Sequence, residues 1–424
     1  MKQRIVLFED QFLADMNPVT LTRPAFAVTC ACLTLWEVAA AAGEVSWLVR
    51  SHLEKITAHR FGAAAAFRGG TIGQPTLFLN ASVVPDARSA PRIGEFAAAG
   101  RPFVCTAGRR VSAALVPAGT PVPDTLSAEA VTPWLLELKL PLSPEETFRT
   151  LDHQFELVKH LEELFPGNLA FRIERDGFRE VRPGVLAAEG VTIADTAVFD
   201  AKAGPVVLDR EAVVGDFSYF EGPVYVGPRT RLIERASLKG SVCVGAVCKV
   251  GGEVEASVIE AYTNKQHHGF LGHSWIGSWV NLGAGTSTSD LKNTYGEVHV
   301  EFPHRRMDTG MQFLGCIVGD FAKSAINTSI FTGKVIGVAS MLYGFVGSSV
   351  PSFCNYARSF GQITECPLDQ ALLIQKRMFA RRGIEQTPED VEVLTAVFGM
   401  TRGEGLRFLD LCPSLPMGEG IRVG

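Results

Sequence analysis

From Leu208 onward every sixth residue is apolar: Val214, Phe220, Val226, Leu232, Leu238, Val244 and Val250 follow without a break. The next residue along is repeatedly small or acidic, as at Asp209, Gly215, Glu221, Gly227, Gly245 and Gly251. After a two-residue slip the series resumes at Val258, passes a polar Asn264, and continues through Phe270, Ile276 and Leu282. A third run holds Val318, Ser324, Ile330, Ile336 and Leu342. A helix spaces its buried positions by three and four, and a strand by two, so neither sustains a period of six. A solenoid does. Each six-residue unit forms one flat side of a triangular coil, its apolar residue pointing inward; three sides close a turn, and stacked turns bury one another's interior rows. The small residue sits at the bend, where a Cβ would crowd its neighbour. The alternative architecture is an ordinary β-sandwich.

A chain of 424 residues is too long for one hydrophobic core, so further units are expected around the repeats. Residues 1 to about 140 alternate strand-like runs (Arg4 to Phe8, Val45 to Val49, Thr76 to Leu79) with helix-like stretches (Leu33 to Ala42, Leu53 to Arg60), which points to an α/β domain. Glu145 to Phe165 reads as an amphipathic helix with Leu151, Phe155, Val158, Leu161 and Leu164 on one face, bridging two domains. Leu368 to Arg382 and Pro388 to Phe398 read as two helices that cap or extend the solenoid. Gly383 separates them, and Thr387-Pro388 supplies an N-cap with proline at the first helical position. The expected division is 1–144 for the α/β domain, 145–180 for a helical linker, 181–346 for the β-helix and 347–424 for the tail.

An apolar fraction of 46% and a charged fraction of 20% fit an ordinary globular chain. A formal charge of -5, with no basic and aromatic alternation, argues against nucleic acid as a partner. The longest apolar stretch, Ala25 to Trp36, is too short to span a bilayer, and Glu9 and Asp10 cut off any signal-peptide core. Nine cysteines, without a CxxC pair and with Cys243, Cys248 and Cys316 inside the repeats, suggest reduced thiols and a cytoplasmic protein without a membrane partner.

The repeat pattern breaks twice between its second and third runs, and breaks are where loops leave a rigid scaffold and carry function. The first, Tyr262 to Phe270, places Asn264 at an expected core position and follows it with Lys265, His267 and His268. The second, Leu282 to Asn293, is glycine-rich (Gly283, Ala284, Gly285) and opens a loop to about Gly310. The stretch from Asn264 to Thr286, NKQHHGFLGHSWIGSWVNLGAGT, resembles the acetyltransferase domain of the bacterial bifunctional enzyme that acetylates glucosamine-1-phosphate and then transfers uridylate to it. Closer still is a divergent subgroup of sugar-nucleotidyltransferase-like proteins with hexapeptide repeats. It shares Leu7-Phe8, Asp10, Asn17-Pro18 and Thr20-Leu21-Thr22-Arg23-Pro24, and the block from Gly251 to Gly272.

The resemblance implies His267 as general base, Asn281 at a sugar-binding position and Ala284 at the cleft for acetyl-CoA. The family's tyrosine is replaced by Phe270, and Lys292 matches a sugar-site lysine only across a gap. The chemistry agrees: attack on a thioester needs a base titrating near neutrality, which imidazole supplies, and backbone N–H groups stabilise the oxyanion. On this reading Asn264, Lys265, Asn281 and Lys292 bind the sugar phosphate, and Gly283, Ala284 and Gly285 admit the pantetheine chain. The plainer readings are hydrogen-bonding surface histidines, solvated lysines and an internal asparagine ladder. His267, His268 and His273 lack a neighbouring ligand in sequence to complete a metal set, so no metal is expected.

The N-terminal domain departs from active sugar-1-phosphate nucleotidyltransferases. No glycine follows the first strand to wrap a triphosphate, and Asn80 stands where a metal-binding aspartate is expected, while Arg23 remains a candidate phosphate ligand. The expected whole is an α/β N-terminal nucleotidyltransferase-like domain plus a left-handed parallel β-helix of hexapeptide repeats with C-terminal helices, assembled as a homotrimer. The expected function is acyl transfer from acetyl-CoA, as co-substrate, to an amino sugar, sugar-1-phosphate or nucleotide sugar. Two alternatives stay open: nucleotidyl transfer from UTP or dTTP with Mg²⁺ through the N-terminal domain, and a non-catalytic oligomeric sugar-nucleotide sensor.

Overall fold

The computed structural model describes residues 3–143, 148–302 and 305–411. These fall into two compact units, Met1–Arg175 with Thr387–Val393, and Asp176–Gln386 with Leu394–Gly424.

Among the described residues, the first unit is built on a five-stranded sheet in the order Glu44–Leu48, Arg4–Phe8, Thr76–Asn80, Arg110–Val116, Phe103–Ala107. The first three strands are parallel and the last two antiparallel. Ile5, Val6, Leu7 and Phe8 are all buried, as a strand covered on both faces must be. The helix Leu35–Ala42 opens with a capping box between Thr34 and Glu37. The expected bridging helix begins later than its apolar spacing suggests: a short turn Glu156–Lys159 precedes Leu161–Asp176, and residues 145–147 lie outside the described set. Residues 148–151 are drawn into an extended path instead, Val84 N–H donating to Arg149 O and Leu151 N–H to Ser82 O. The long helix is part of the first unit. Its Asn168 side chain is buried there, accepting from Ala87 N–H and donating to Pro85 O and Cys30 O.

The second unit is a parallel β-helix of about nine turns over residues 185–356. Its ladder registers give the coil length directly. Val206 pairs with Val224 and Val224 with Val242, while Val213 pairs with Arg231 and Arg231 with Lys249, each step eighteen residues or three sides of six. The interior rows expected from sequence are buried, from Leu208 through Val250 and again from Val318 to Leu342. Glycines beside them allow the coils to close: a Cβ on Gly227 would come within 2.7 Å of Gly245 backbone, and one on Gly245 within 2.6 Å of Ala261 backbone. Corners recur with left-handed backbone at Glu211, Phe217, Arg229, Arg235 and Val247, six or twelve residues apart.

The middle run is one residue out of the expected phase. Cys243 pairs with Val258 and Val244 with Ile259, so one turn has been shortened to fifteen residues. The interior row therefore passes through Ile259, Lys265 and Leu271, while Val258, Asn264 and Phe270 lie one place to the side; Ile276 and Leu282 are back in phase. The second break is an excursion: Trp275 pairs with Ile317, a step of 42 residues, and the extra chain forms the antiparallel hairpin Val298–Phe302 with Arg305–Met311.

The C-terminal helices are Leu368–Ala380 and Pro388–Leu411. Thr387 caps the second as expected, with Asp390 N–H donating to its hydroxyl. That helix runs well past the expected end at Phe398, through Gly399, Gly403 and Gly405. Phe398 packs edge-on against Phe353, and the Phe408 ring lies tilted 6.4 Å from that of Tyr356, so contact with the last coils holds a glycine-rich helix together.

Candidate functional site

The shortened turn decides which way the polar residues of the first break point. Asn264 faces outward, with Lys249 above it and Asn281 below in the same row. Its amide donates to Asn281 Oδ1 at 3.3 Å, and Arg382, just after the helix Leu368–Ala380, donates to Asn264 Oδ1 at 2.7 Å. The two asparagines thus form an outward ladder closed by an arginine. Arg231, Lys249 and Lys323 lie in the same outward row. The Lys249 ammonium is held below its ordinary pKa, first by burial and then by the charges of Arg382, Arg231 and Arg381.

Lys265 points inward and is 2% exposed, which does not fit the expectation of a phosphate-facing side chain. Its Nζ donates to the carbonyls of Gly251 at 2.8 Å and His267 at 2.9 Å. Burial pushes its pKa down to about 8. Only glycine at position 252 leaves room, because a Cβ there would lie 2.8 Å from the ammonium and 2.9 Å from His267 O.

His267 and His268 are exposed at the corner that follows. The glycine-rich corner of the next coil stacks against them: Gly285 N–H donates to His268 O at 3.0 Å, and Ala284 O accepts from Asn327 N–H at 2.7 Å. Gly285 has φ +75, and a Cβ on it would fall 2.2 Å from Asn327 Oδ1; one on Gly283 would fall 2.6 Å from Ala325 backbone. The fold therefore brings His267, His268, Gly283, Ala284 and Gly285 together, with Asn264 and Asn281 on the adjoining side. Lys292 is separate, in the excursion, where its ammonium donates to the carbonyl of Glu297.

Two features escaped the sequence reading. Arg382 is one, lying 118 residues from the asparagine it binds. The other is the pairing of His273 Nδ1 with Asp290 Oδ2 at 2.8 Å, with the Phe313 ring tilted over the imidazole at 5.1 Å. Their separation of 17 residues is one turn of this part of the coil, the spacing that also joins Asn264 to Asn281.

In the first unit, the end of the strand Arg4–Phe8 is closed by its own side chains. Glu9 accepts from the Arg50 and Ala25 backbone N–H groups and pairs with the Arg50 guanidinium at 3.0 Å. Asp10 accepts from Phe12 N–H, from Asn80 Nδ2 at 2.8 Å and from Arg110 Nη1 at 3.0 Å. Asn80, Asp10 and Arg110 are each buried, and Arg23 is buried at 6% exposure. A magnesium ion needs carboxylate oxygens free to coordinate it, and the Asp10 carboxylate is already engaged by a guanidinium, so these residues do not fit the ion. Among the described residues no group of three or more His, Cys, Asp or Glu has metal-binding geometry. The eight described cysteines are free and buried, and no helix among the described residues is long and apolar enough to cross a membrane.

Residues 5–178 match the family model described as sugar nucleotidyl transferase. The chain is 31% identical over 152 residues to the "Bifunctional sugar-1-phosphate nucleotidylyltransferase/acetyltransferase" of Sulfurisphaera tokodaii, covering 33% of this chain and 35% of that protein. It is 26% identical over 156 residues to the "Uncharacterized acetyltransferase YaiX" of Escherichia coli, covering 36% and 68%. It is 32% identical over 117 residues to the "Bifunctional protein GlmU" of Methanocaldococcus jannaschii, covering 27% and 26%. The chain thus spans about a third of the first relative's length. A segment that matches the sugar nucleotidyl transferase model thus precedes a hexapeptide β-helix, and the chain shows distant similarity to these bifunctional transferases.

Proposed function

We propose that this chain, a sugar nucleotidyl transferase domain joined to a hexapeptide β-helix, transfers an acyl group from acyl-CoA to an amino sugar, sugar-1-phosphate or nucleotide sugar, with His267 as general base. The observation that carries the reading is the paired corner: an exposed imidazole on a coil pinned from inside by Lys265, with Gly285 donating to His268 O beneath it. A base must be held within hydrogen-bond reach of the attacking group, and a clamped corner does that with little freedom to lose. The narrow Gly283-Ala284-Gly285 corner leaves its backbone open to a pantetheine chain. Arg231, Lys249 and Arg382 take the phosphate-binding role expected of Lys265 and Lys292, since Arg231 and Lys249 lie in the outward row of the asparagine ladder and Arg382 reaches that ladder from beyond the helix. Assembly as a trimer, with the site between protomers, belongs to the same proposal. Relatives named as acetyltransferases support acetyl-CoA as the donor.

The test is release of CoA thiol from acetyl-CoA in the presence of glucosamine-1-phosphate and related sugar phosphates. Acceptor-dependent release that falls by about 100-fold or more in His267→Gln is the expected result. Wild-type protein that releases no thiol with any acceptor refutes the reaction; a fully active variant refutes the base.

Nucleotidyl transfer is a second reading favoured by the family match over residues 5–178. Pyrophosphate release from UTP or dTTP with a sugar phosphate and Mg²⁺ would establish it, against the expectation from the closed strand end.

A further inference from the structure

His267 and His273 flank one strand, Phe270–Gly272, and stand at its two ends. Six residues of near-extended chain separate them by on the order of 15 Å, so one cannot take over a proton transfer performed by the other. His273 nonetheless has the arrangement that His267 lacks. Its ring is held by a carboxylate, which can only accept, so Nδ1 carries the proton, and in the neutral ring Nε2 presents a lone pair.

The pair is a built feature. A Cβ on Gly272 would lie 2.2 Å from Asp290 Oδ2 and 2.4 Å from the Phe270 ring, so the carboxylate reaches the imidazole only across a glycine. The pair is also not needed to close the root of the excursion. Backbone bonds from Leu314 N–H to Asp290 O and from Gly315 N–H to His273 O, both 2.8 Å, already close it. Both side chains keep a solvent-facing edge, 17% exposed for His273 and 14% for Asp290, and the half-exposed Phe313 ring walls one side.

We propose that His273 and Asp290 form a second acyl-transfer centre on this coil, one that activates a hydroxyl acceptor; the proposal rests on the acyltransferase reading above. Nε2 of His273 takes the proton of the acceptor O–H as the oxygen attacks the thioester carbonyl and the new C–O bond forms. Collapse of the tetrahedral intermediate breaks the C–S bond, and the imidazolium returns its proton to the departing CoA thiolate. The products are an ester and free CoA. Asp290 is a positioning residue that fixes the tautomer and stabilises the imidazolium.

The full-length protein is assayed for thiol release from acetyl-CoA with N-acetylglucosamine-1-phosphate, which offers hydroxyls and no free amine, and in parallel with glucosamine-1-phosphate. His273→Gln should lower kcat for the hydroxyl acceptor by about 100-fold with KM nearly unchanged. Asp290→Asn, which frees the ring from its fixed tautomer, should lower kcat by about tenfold with KM nearly unchanged. A rate in His273→Gln within twofold of wild type overturns the centre, as does an Asp290→Asn kcat within twofold of wild type. If His273→Gln loses its melting transition, diethyl pyrocarbonate labelling of the wild type decides: acetyl-CoA protecting His273 supports the centre, and labelling that acetyl-CoA leaves unchanged overturns it. Turnover with glucosamine-1-phosphate alone sinks only this second centre, whereas silence with both acceptors sinks the acyltransferase reading itself.

Discussion

Lys265 makes the buried side of the loop corner measurable. In the folded chain its ammonium has a pKa of about 8 against an ordinary 10.5, because burial disfavours the charge. The folded pKa is the lower one. Below pH 8 the group is charged in both states and the burial cost is fully present; between 8 and 10.5 the folded chain has released a proton that the unfolded chain still holds. Unfolding then takes up a proton, so stability rises with pH through this window. Going from pH 7 to pH 10 relieves about 2 kcal/mol on these values. Buried Cys30, Cys32, Cys248 and Cys316, all pushed up to about 12, act in the opposite direction above pH 9. They are common to wild type and variant. The stability difference between wild type and Lys265→Met therefore isolates the lysine, whatever constant offset the lost hydrogen bonds to Gly251 and His267 contribute. Urea unfolding of both proteins at pH 7 and pH 10 should show that difference moving by about 2 kcal/mol in favour of the wild type. A difference that is flat with pH would mean that Lys265 is hydrated, and the inward row would have to be redrawn.

Other changes probe the same architecture. Leu271→Ala should cost about 2–5 kcal/mol by urea unfolding, since the residue is fully buried in the interior row, and Phe270→Ala less than half of that; the reverse order would restore the unshifted phase. Gly272→Ala forces Asp290 or Phe270 aside and should destabilise by about 1–3 kcal/mol, a cost that Asp290→Ala in the same chain should partly relieve. In the first unit, Arg110→Met leaves the Asp10 carboxylate buried with only neutral donors, and should lower stability by about 3–5 kcal/mol, with part recovered in the Asp10→Asn, Arg110→Met double variant.

The solenoid was legible because its interior rows repeat with a fixed period that no helix or single strand sustains. The phase of the middle run was not, and the reason is local. Val258-Ile259, Asn264-Lys265 and Phe270-Leu271 are each pairs of like polarity, so hydrophobicity cannot choose which member faces inward, and only the ladder register does. The loop histidines and glycine-rich corner were visible as breaks in the pattern, and the coil does stack them. The partner of His273 was within reach of sequence, since 17 residues is one turn here, but a single carboxylate in a polar stretch carries no signal until the turn length is known. Arg382 carried none, being placed by a helix beyond the repeats. In the first unit the acidic pair Glu9-Asp10 marked a departure from a triphosphate loop, while its basic partners, Arg50 just after the strand Glu44–Leu48 and Arg110 at the start of Arg110–Val116, are distant in sequence and emerge only with the sheet.

The hairpin between Leu291 and Leu314 leaves and rejoins the prism at one point, and the coil resumes with Ile317 stacked on Trp275 as though the intervening chain were absent. Its first strand nevertheless packs on the prism, with Val298 and Val300 fully buried beside the coil strand Lys334–Ile336 and Glu301 4.0 Å from the Lys334 ammonium. A change at Val298 or Val300 is therefore felt by the layers beneath, whereas the exposed stretch Asn293–Glu297 can vary at the coil's edge while the scaffold stays constant.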